Sequence, residues 1–283
     1  MIPAPFEYEA AQSPKHAVEL LEHFGEDAKV LAGGQSLLPL MKLRLAYASA
    51  LVDVGRIGEM SYVREDGDRI AIGAATRHED IHMNGLLARA CPVLAHAAGE
   101  VGDPQVRHRG TIGGSASHAD PAGDLPCVLR TLDAEMVALG PHGTRTIPAS
   151  DFFTGLFETA LAPQEILTEI RVPRIEGMGW SYLKFNPRAQ DWAIVGVAVL
   201  VERDGRISKA SVGLTSMGET PLRAPAVEDA LTSGASPADA AGHAAENTSP
   251  PSDPLGSGEY RRAMAQVIAR RAVEEALDRC PPS

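Results

Sequence analysis

The sequence predicts an α+β protein with a two-part N-terminal domain and a smaller C-terminal domain. Three observations support this fold class. A strand, glycine turn, helix and strand pattern fills the first 55 residues, a region of strands and alanine-rich helix follows, and three later β-like runs are followed only by helices. We therefore predict two subdomains, residues 1–55 and 56–176, and a C-terminal domain with a three-stranded antiparallel sheet plus helices over residues 177–283.

Composition and charge restrict the class of protein. Of the 283 residues, 44% are hydrophobic and 22% charged, and no stretch approaches the roughly 20 apolar residues of a membrane span. The opening residues show no basic region followed by an apolar run, so we expect no secretory signal and a cytoplasmic location. The formal net charge of −11 disfavours nucleic acid and anionic membranes as partners, because both need clustered Lys and Arg.

The first subdomain begins with a well-marked helix. Ser13 is a suitable N-cap, Pro14 fits the first turn and Gly25 closes the segment, so a helix is predicted over residues 14–24. The pattern after it predicts a small βαβ-type layer made of a strand at 29–32, a glycine turn, a helix at 37–45 and a strand at 51–54.

The second subdomain combines strands with segments of small residues. Strands are predicted at residues 69–74, 135–139 and 166–172, and an alanine-rich helix at 86–99. Residues 111–126 are crowded with glycine, serine and aspartate although apolar elements flank them. This composition suggests backbone brought close to a ligand.

The C-terminal domain starts with strands and ends with helices. The β-like runs cover residues 180–185, 192–201 and 207–215. The stretch 233–258, rich in Ala, Ser, Pro and Gly, is predicted to be part linker and part weak helix at 237–246. The last helix is predicted to pack on the sheet through one apolar stripe, with arginines opposite, and the stripe consists of Tyr260, Met264, Val267, Ile268 and Leu277.

Two adjacent glycines follow the strand at residues 29–32. Gly33 and Gly34 at a strand-to-helix turn let backbone N–H groups approach an anion, and Ser36 is placed to cap the following helix. Such a turn binds phosphate without arginine, but paired glycines also occur in ordinary turns. The spacing is neither G-x-G-x-x-G nor a Walker loop, so the standard Rossmann and P-loop interpretations do not apply.

A second pair of glycines has the same form. Gly113 and Gly114 lie between the hydroxyl residues Thr111 and Ser115, with no bulky side chain to exclude a ligand. Two such loops predict one diphosphate held from both sides.

These motifs resemble the paired FAD motifs of a known family. The first is Ala32-Gly33-Gly34-Gln35-Ser36, and the second is Thr111-Ile112-Gly113-Gly114-Ser115, followed by His118-Ala119-Asp120-Pro121 and Asp124-Leu125-Pro126. They are similar to the motifs of molybdenum hydroxylase medium subunits and of the xanthine dehydrogenase flavin domain. The likeness extends over nearly the whole chain, through Glu165-Ile166-Leu167 to Glu259-Tyr260-Arg261-Arg262.

The resemblance is greatest to the flavin subunit of aerobic carbon monoxide dehydrogenase, although subunits that serve nicotine and aldehydes share the motifs. It implies an FAD-binding domain of the PCMH/vanillyl-alcohol-oxidase-like type and a C-terminal domain of the carbon monoxide dehydrogenase flavoprotein type. It also implies FAD contacts at Lys29, Ala32, Gly33, Gly34, Gln35, Ser36, Leu37, Thr111, Ile112, Gly113, Gly114, Ser115, Asp124, Leu161, Lys184 and Trp192.

Two positions qualify the resemblance. Gln35 distinguishes the chain from related flavoproteins that attach FAD covalently, because their attachment residue, His or Cys, would have to lie beside this turn. The FAD should therefore be non-covalent. Ser115 stands where the family often has Asn, and its shorter hydrogen-bonding group would loosen one contact without removing the site.

The resemblance implies roles for three charged side chains, two of which have a plainer alternative. Asp124 would accept hydrogen bonds from the adenosine ribose or nearby backbone, or else cap the helix that starts at Leu125. Lys184 would face a flavin edge, where a cation stabilises the negatively charged reduced ring. Lys29 would help to neutralise phosphate, or else be a solvated surface lysine.

Apolar and histidine positions complete the predicted site. Trp192 would lie against the isoalloxazine ring or else be a core tryptophan, and Leu161 would contact the flavin through its backbone or apolar surface. His118 and Asp120 are too few ligands for a zinc site and are expected to make turn hydrogen bonds, so no metal is predicted. No catalytic residue is assigned, because a flavin supplies the redox chemistry itself.

The implied function is electron transfer inside a larger complex. The only cysteines are Cys91, Cys127 and Cys280, without metal-binding spacing, so the chain alone cannot hold a four-cysteine iron–sulfur cluster. The resemblance implies a molybdenum cofactor on a large subunit and 2Fe-2S clusters on a small subunit, assembled with this chain as a dimer of heterotrimers that touches the inner face of the membrane only through the complex. Two alternatives remain: a self-sufficient flavin oxidoreductase acting on a small organic substrate, and an assembly module that has lost its flavin.

Overall fold

The computed structural model describes residues 2–281, so Met1, Pro282 and Ser283, at the ends of the first and last predicted domains, lie outside the described part. The strands are β1 Glu7–Ala10, β2 Lys29–Leu31, β3 Ala50–Asp53, β4 Val63–Asp66, β5 Arg69–Gly73, β6 Glu135–Gly140, β7 Gly143–Pro148, β8 Phe153–Gly155, β9 Glu158–Thr159, β10 Ile166–Pro173, β11 Gly179–Phe185, β12 Val195–Asp204, β13 Arg206–Thr215 and β14 Leu222–Arg223. The helices are α1 Pro14–Phe24, α2 Leu37–Lys42, α3 His78–His82, α4 Gly85–Ala90, α5 Pro92–Gly99, α6 Pro104–Arg107, α7 Ile112–His118, α8 Asp124–Thr131, α9 Ala149–Phe152, α10 Pro225–Thr232, α11 Pro237–Ala241 and α12 Gly258–Asp278.

A parallel sheet of three strands, in the order β1-β3-β2, fills the start of the chain. Helix α1 has the predicted bounds, because Ser13 Oγ accepts a hydrogen bond from the His16 N–H at 3.1 Å and Gly25 closes the helix with a φ of 78°. Helix α2 ends at Lys42, earlier than predicted, because Arg44 takes a left-handed φ of 62°. The sequence pattern misses β1, since its mostly exposed residues show no apolar alternation.

The second sheet is antiparallel and has the order β4-β5-β10-β6-β7. The sequence pattern misses β4, whose residues are mostly charged. The single helix predicted at residues 86–99 is wrong, because α4 and α5 are separate helices. Cys91 between them lies outside the helical region, and Pro92 lacks the N–H that a continuous helix would need.

The third sheet is antiparallel and has four strands in the order β11-β12-β13-β14, one more than predicted, because the short β14 pairs with β13. Strand β12 begins at Val195, so Trp192, predicted to start this strand, lies in the segment before it. The weak helix predicted at residues 237–246 is shorter than expected, since α11 ends at Ala241.

The apolar stripe predicted for the last helix is wrong in part. Ile268, Met264 and Leu277 pack against the second hydrophobic cluster, whereas Tyr260 and Val267 are 43% and 37% exposed. Alanine makes up half of the buried residues of α12. Alanine permits a very close approach, because a Cβ atom on Gly179 of β11 would lie 2.0 Å from the Ala276 carbonyl oxygen. Arg261, predicted to face solvent, is 2% exposed.

One hydrophobic core spans the first two sheets and reaches the third. It includes Val18 of α1, Val52 of β3, Ile72 of β5 and Tyr182 of β11. A second cluster joins β12 and β13 to α10 and α12. Each of the three larger sheets lies within one predicted domain, and the shared core packs these parts together, but the domain bounds themselves stay predictions. Across residues 2–281, no helix combines the length and the apolar composition needed to cross a bilayer.

Candidate functional site

A cleft of about 580 Å³ lies where the turn after β2, the start of α7 and the end of β11 meet. All but one of the residues for which the resemblance implies FAD contacts line this cleft. The exception is Ile112, which is fully buried in the core. Residues far apart in the sequence are therefore brought to one space, and their contact with a ligand stays a prediction.

The turn between β2 and α2 offers unpaired backbone donors to the cleft. Gly34 has a φ of 74°, which favours glycine, and a Cβ on Gly33 would lie 2.2 Å from the Arg109 carbonyl oxygen. The N–H groups of Gly33, Gly34, Gln35 and Ser36 donate to no other atom within residues 2–281. Ser36 does not cap α2 with its side chain, contrary to prediction, because its backbone is already in the helical region. This turn can therefore donate several hydrogen bonds to an anion.

The second glycine motif is not an open loop, and this prediction is wrong. It forms the first turn of α7, with Thr111 as the N-cap whose Oγ1 accepts from the Gly114 N–H at 3.1 Å. The N–H groups of Ile112, Gly113 and Ser115 donate to the carbonyls of Thr76, Ala74 and Thr111 at 3.0, 2.9 and 2.9 Å. Hence α7 cannot provide these backbone donors as a second grip on a diphosphate, and it contributes side-chain hydroxyl groups to the cleft wall instead.

Gly113 is glycine for a packing reason. A Cβ at this position would lie 2.5 Å from the Ala74 Cβ and 2.6 Å from the Ala74 carbonyl oxygen. The hydroxyl-bearing residues of α7 that line the cleft are Ser115 and Ser117. Gly113 therefore lets α7 approach the end of β5, which brings its serines to the cleft.

A buried ion pair forms one wall of the cleft. Lys184 Nζ lies 2.9 Å from Asp124 Oδ2, with side chains that are 3% and 4% exposed, and it also donates to the Glu100 carbonyl oxygen at 3.0 Å. Asp124 Oδ1 accepts a hydrogen bond from the Tyr182 hydroxyl at 2.5 Å. Burial raises the pKa of Asp124, and its bonds with Lys184 and Tyr182 oppose that rise. Burial also raises the pKa of Tyr182 well above its ordinary value.

The structure excludes one of the roles predicted for Asp124 and pairs this residue with Lys184. Asp124 is not the cap of α8, because Gly123 occupies the N-cap position and the Asp124 carboxylate points to β11. The resemblance implies that Asp124 contacts the adenosine ribose or nearby backbone and that Lys184 faces the flavin edge. The ion pair places the two side chains side by side in the cleft wall, and their contacts with FAD stay predictions.

Trp192, Leu161 and Lys29 lie at the rim of the cleft. Trp192 is 53% exposed, so the alternative interpretation as a core tryptophan is wrong. Leu161 is half-buried beside Glu165, whose carboxylate accepts from the Ala162 N–H at 2.7 Å and from the Arg145 guanidinium at 2.7 and 2.8 Å. Lys29 is exposed, as both interpretations of this residue require.

Sequence reasoning misses several residues of the cleft. His78 is 4% exposed, and burial followed by the charge of Arg107 lowers its pKa to about 4, so its imidazole is neutral at pH 7. No periodic pattern marks His78, whereas the Glu165-Ile166-Leu167 motif does mark Glu165 as part of the resemblance.

His118 lines the cleft and stacks on Phe157, with ring centroids 5.1 Å apart. Within residues 2–281, His, Cys, Asp and Glu form no group of three that could hold a metal ion.

Comparison with known families gives two matches that together cover most of the chain. Residues 4–175 match the family described as the FAD binding domain in molybdopterin dehydrogenase. Residues 180–276 match the carbon monoxide dehydrogenase flavoprotein C-terminal domain. Both matches confirm the predicted fold type.

Individual relatives span the full length of the chain. The carbon monoxide dehydrogenase medium chain of Hydrogenophaga pseudoflava is 41% identical over 99% of this chain and 100% of its own length. The nicotine 6-hydroxylase medium subunit of Paenarthrobacter nicotinovorans is 38% identical, over 95% of this chain and 96% of its own.

Solved structures show the same architecture. A chain of the Hydrogenophaga pseudoflava carbon monoxide dehydrogenase that lacks the Mo-pyranopterin moiety of the molybdenum cofactor superposes with a TM-score of 0.97 at 42% identity, covering 99% of this chain and 100% of that one. A chain of quinoline 2-oxidoreductase from Pseudomonas putida 86 gives a TM-score of 0.92 at 31% identity, with the same coverage.

Proposed function

The chain belongs to the family of FAD-binding medium subunits of molybdenum hydroxylases, and from this premise we propose that it holds one non-covalent FAD in the cleft and relays electrons through it. The observation that carries the proposal is the position of four N–H donors, at Gly33, Gly34, Gln35 and Ser36, which have no partner within residues 2–281 and lie in the same cleft as the buried Asp124–Lys184 pair. The Gly33–Ser36 turn would thus bind the anionic part of the cofactor. Another part of the cofactor would lie beside the fixed charge pair.

The residues present fit FAD. A volume of about 580 Å³ is in the range of cofactor sites, and a diphosphate needs N–H donors of the kind that the Gly33-Gly34 turn leaves unpaired. A side chain at Gly34 would strain the backbone of that turn, so glycine preserves the conformation of the turn. Gln35 at the turn favours a non-covalent attachment.

FAD, when bound, supplies the redox chemistry by accepting electrons and releasing them again. The chain's own residues bind and orient it. The Gly33–Ser36 N–H groups would hold the diphosphate, Trp192 at the rim would exclude water from one side, and Lys184 would present a cation.

Partner subunits complete the proposed electron path. Within residues 2–281 the three cysteines are free and belong to no group of side chains that could hold a metal ion, so we place 2Fe-2S clusters on a small subunit and the molybdenum cofactor on a large one. We further propose a dimer of heterotrimers in the cytoplasm. All three cysteines are free thiols, as is usual in a reducing compartment.

The substrate would be chosen by the large subunit. Carbon monoxide is the first substrate to test, because a carbon monoxide dehydrogenase medium chain is 41% identical over 99% of this chain. A nicotine 6-hydroxylase medium subunit is 38% identical to this chain, so an N-heterocycle is the second substrate to test. The cleft of this chain would meet neither substrate.

The proposal is tested by reconstitution. The purified chain, alone and with its two partner subunits, is mixed anaerobically with carbon monoxide or an N-heterocycle while the flavin absorption is followed. We expect about one FAD per chain, released into the supernatant by acid, and bleaching by substrate only when both partners are present.

Three results would contradict this proposal. Substrate turnover by the chain alone would favour the self-sufficient oxidoreductase. A chain that takes up no FAD, with or without partners, would favour the assembly module. Flavin that stays with the acid pellet would contradict non-covalent binding.

A further inference from the structure

Lys184 is an ammonium group built into the cleft wall. Its Nζ atom donates to Asp124 Oδ2 at 2.9 Å and to the Glu100 carbonyl oxygen at 3.0 Å, so two of its three N–H donors are committed. Its side chain is 3% exposed although it lines the cleft. Solvent therefore screens this charge very little.

Asp124 fixes and balances that charge. Its second oxygen is held by the Tyr182 hydroxyl at 2.5 Å, and its side chain is 4% exposed. Asp124 belongs to α8, while Tyr182 and Lys184 belong to β11. The pair is thus anchored on two rigid elements of the shared core, and the ammonium cannot leave the wall without leaving the carboxylate unpaired.

Resting on the proposed function, we propose that Asp124 is a positioning residue that acts through Lys184 to set the reduction potential of the flavin. Reduction adds negative charge to the ring system, so a nearby cation raises the potential and a nearby anion lowers it. In a buried site these effects are large because the effective dielectric constant is low. The balanced pair has a smaller effect than either charge alone.

This balance predicts shifts of opposite sign. Asp124→Asn keeps the size of the side chain and leaves the Lys184 ammonium without its counter-charge, so the flavin potential should rise. Lys184→Met removes the cation and leaves the carboxylate, so the potential should fall. Lys184→Arg retains the positive charge and should restore a potential close to that of the unchanged protein. A purely structural role would not reverse the sign between the first two variants.

The experiment measures the flavin midpoint potential by equilibration with redox dyes, in the FAD-loaded protein with its partner subunits. Glu228→Gln is the matched control, because it breaks the Arg223–Glu228 pair, 2.7 Å apart with both side chains 17% exposed, and neither residue lines the cleft. This substitution should lower the free energy of unfolding and leave the flavin midpoint potential unchanged.

Each outcome decides the proposal. Shifts of the same sign in Asp124→Asn and Lys184→Met, no shift in either, or weaker FAD binding at an unchanged potential would overturn it and assign the pair to the diphosphate or adenosine. If Lys184→Met does not fold, the proposal is supported by a higher midpoint potential in Asp124→Asn together with an unchanged potential in Lys184→Arg, and it is overturned if the potential of Asp124→Asn does not rise. If Asp124→Asn does not fold, the proposal is supported by a lower midpoint potential in Lys184→Met together with an unchanged potential in Lys184→Arg, and it is overturned if the potential of Lys184→Met does not fall. Unchanged protein that binds no FAD would instead refute the proposed function on which this inference rests.

Discussion

Lys184 Nζ lies 2.9 Å from Asp124 Oδ2, and the two side chains are only 3% and 4% exposed. These residues are far apart in the sequence, and the resemblance implies a different contact with the cofactor for each of them. The ion pair makes them one unit of the cleft wall, and their contacts with FAD stay predictions. The same pair joins helix α8 to strand β11, so it contributes to the packing of the fold as well as to the site.

The first prediction concerns the stability of this buried pair. Lys184→Met should lower the free energy of unfolding of the FAD-free protein by about 3–5 kcal/mol, because it leaves the Asp124 carboxylate buried without its counter-charge. Urea unfolding measures the change. Lys15→Met is the control, since the Lys15 side chain is 86% exposed and should contribute almost nothing. Equal effects of the two substitutions would mean that the Asp124–Lys184 pair is not a buried ion pair in solution.

The second prediction separates backbone strain from cofactor binding. Gly34→Ala and Gly67→Ala both place a Cβ on a left-handed residue, with φ of 74° and 64°, and the backbone strain should cost each about 1–2 kcal/mol of stability. At Gly34 the end of the Leu38 side chain must also shift, because its Cδ1 would lie 2.9 Å from the new Cβ, whereas a Cβ on Gly67 meets nothing within 4 Å. Of the two glycines only Gly34 lines the cleft, so only Gly34→Ala should lower the affinity for FAD. The loss should be a factor of ten or more, because roughly one hydrogen bond to the cofactor is displaced. Fluorescence titration with FAD measures the affinity. Equal affinities in the two variants would show that the turn does not touch the cofactor.

The third prediction concerns acid pH at the Leu161 segment. The Arg145 guanidinium, together with the Ala162 N–H, holds the pKa of Glu165 below its ordinary value despite partial burial. The stabilisation from ionised Glu165 is therefore fully present above the unfolded pKa of about 4.3 and is lost as the pH falls through the lower folded pKa.

Glu165→Gln tests this directly. Unfolding free energies should differ by about 1 kcal/mol at pH 7, because Arg145 is half-exposed and the pair is partly screened. The difference should shrink towards zero when the pH falls below about 4. A difference that stays constant from pH 7 to pH 3 would mean that the charge of Glu165 does not hold this segment.

The fourth prediction concerns Arg261, which holds the segment that carries Trp192. Its guanidinium donates to the Ile194 carbonyl oxygen at 2.5 Å and to Asp253 Oδ2 at 2.7 Å, and the residue is 2% exposed. Arg261→Ala should lower the free energy of unfolding by about 3 kcal/mol, because it unpairs buried polar groups and removes a packed side chain. It should also change Trp192 fluorescence, since the anchor of that segment is lost.

The neighbouring Arg262 provides the control for this prediction. It is exposed and makes one bond of 3.2 Å to the Thr248 carbonyl oxygen, so Arg262→Ala should change stability by less than about 0.5 kcal/mol. Trp180→Phe in both backgrounds leaves Trp192 as the sole fluorophore of its type. Similar losses of stability in the two arginine variants would show that Arg261 is not an anchor.

Local chemistry explains why parts of the fold could be predicted from the sequence. Ser13 and Gly25 bound α1 because a hydroxyl cap and a left-handed closure depend on neighbouring residues alone. The central strands β5, β6 and β10 of the second sheet are rich in buried apolar residues, so they lie close to their predicted ranges. Edge strands such as β1 and β4 carry exposed polar residues, and no periodic pattern separates them from loops.

The sequence by itself determined the family, the α+β class and most of the residues that line the cleft, because glycine pairs and apolar runs are local signals. Only the tertiary structure decided how those residues pack and pair. It showed that Gly113 packs against Ala74 rather than opening a loop, that Arg261 is buried, and that Asp124 is paired with Lys184. The physical reason is that burial and hydrogen bonding depend on contacts between α8, β11 and α12, which a residue's own neighbours in the chain do not specify.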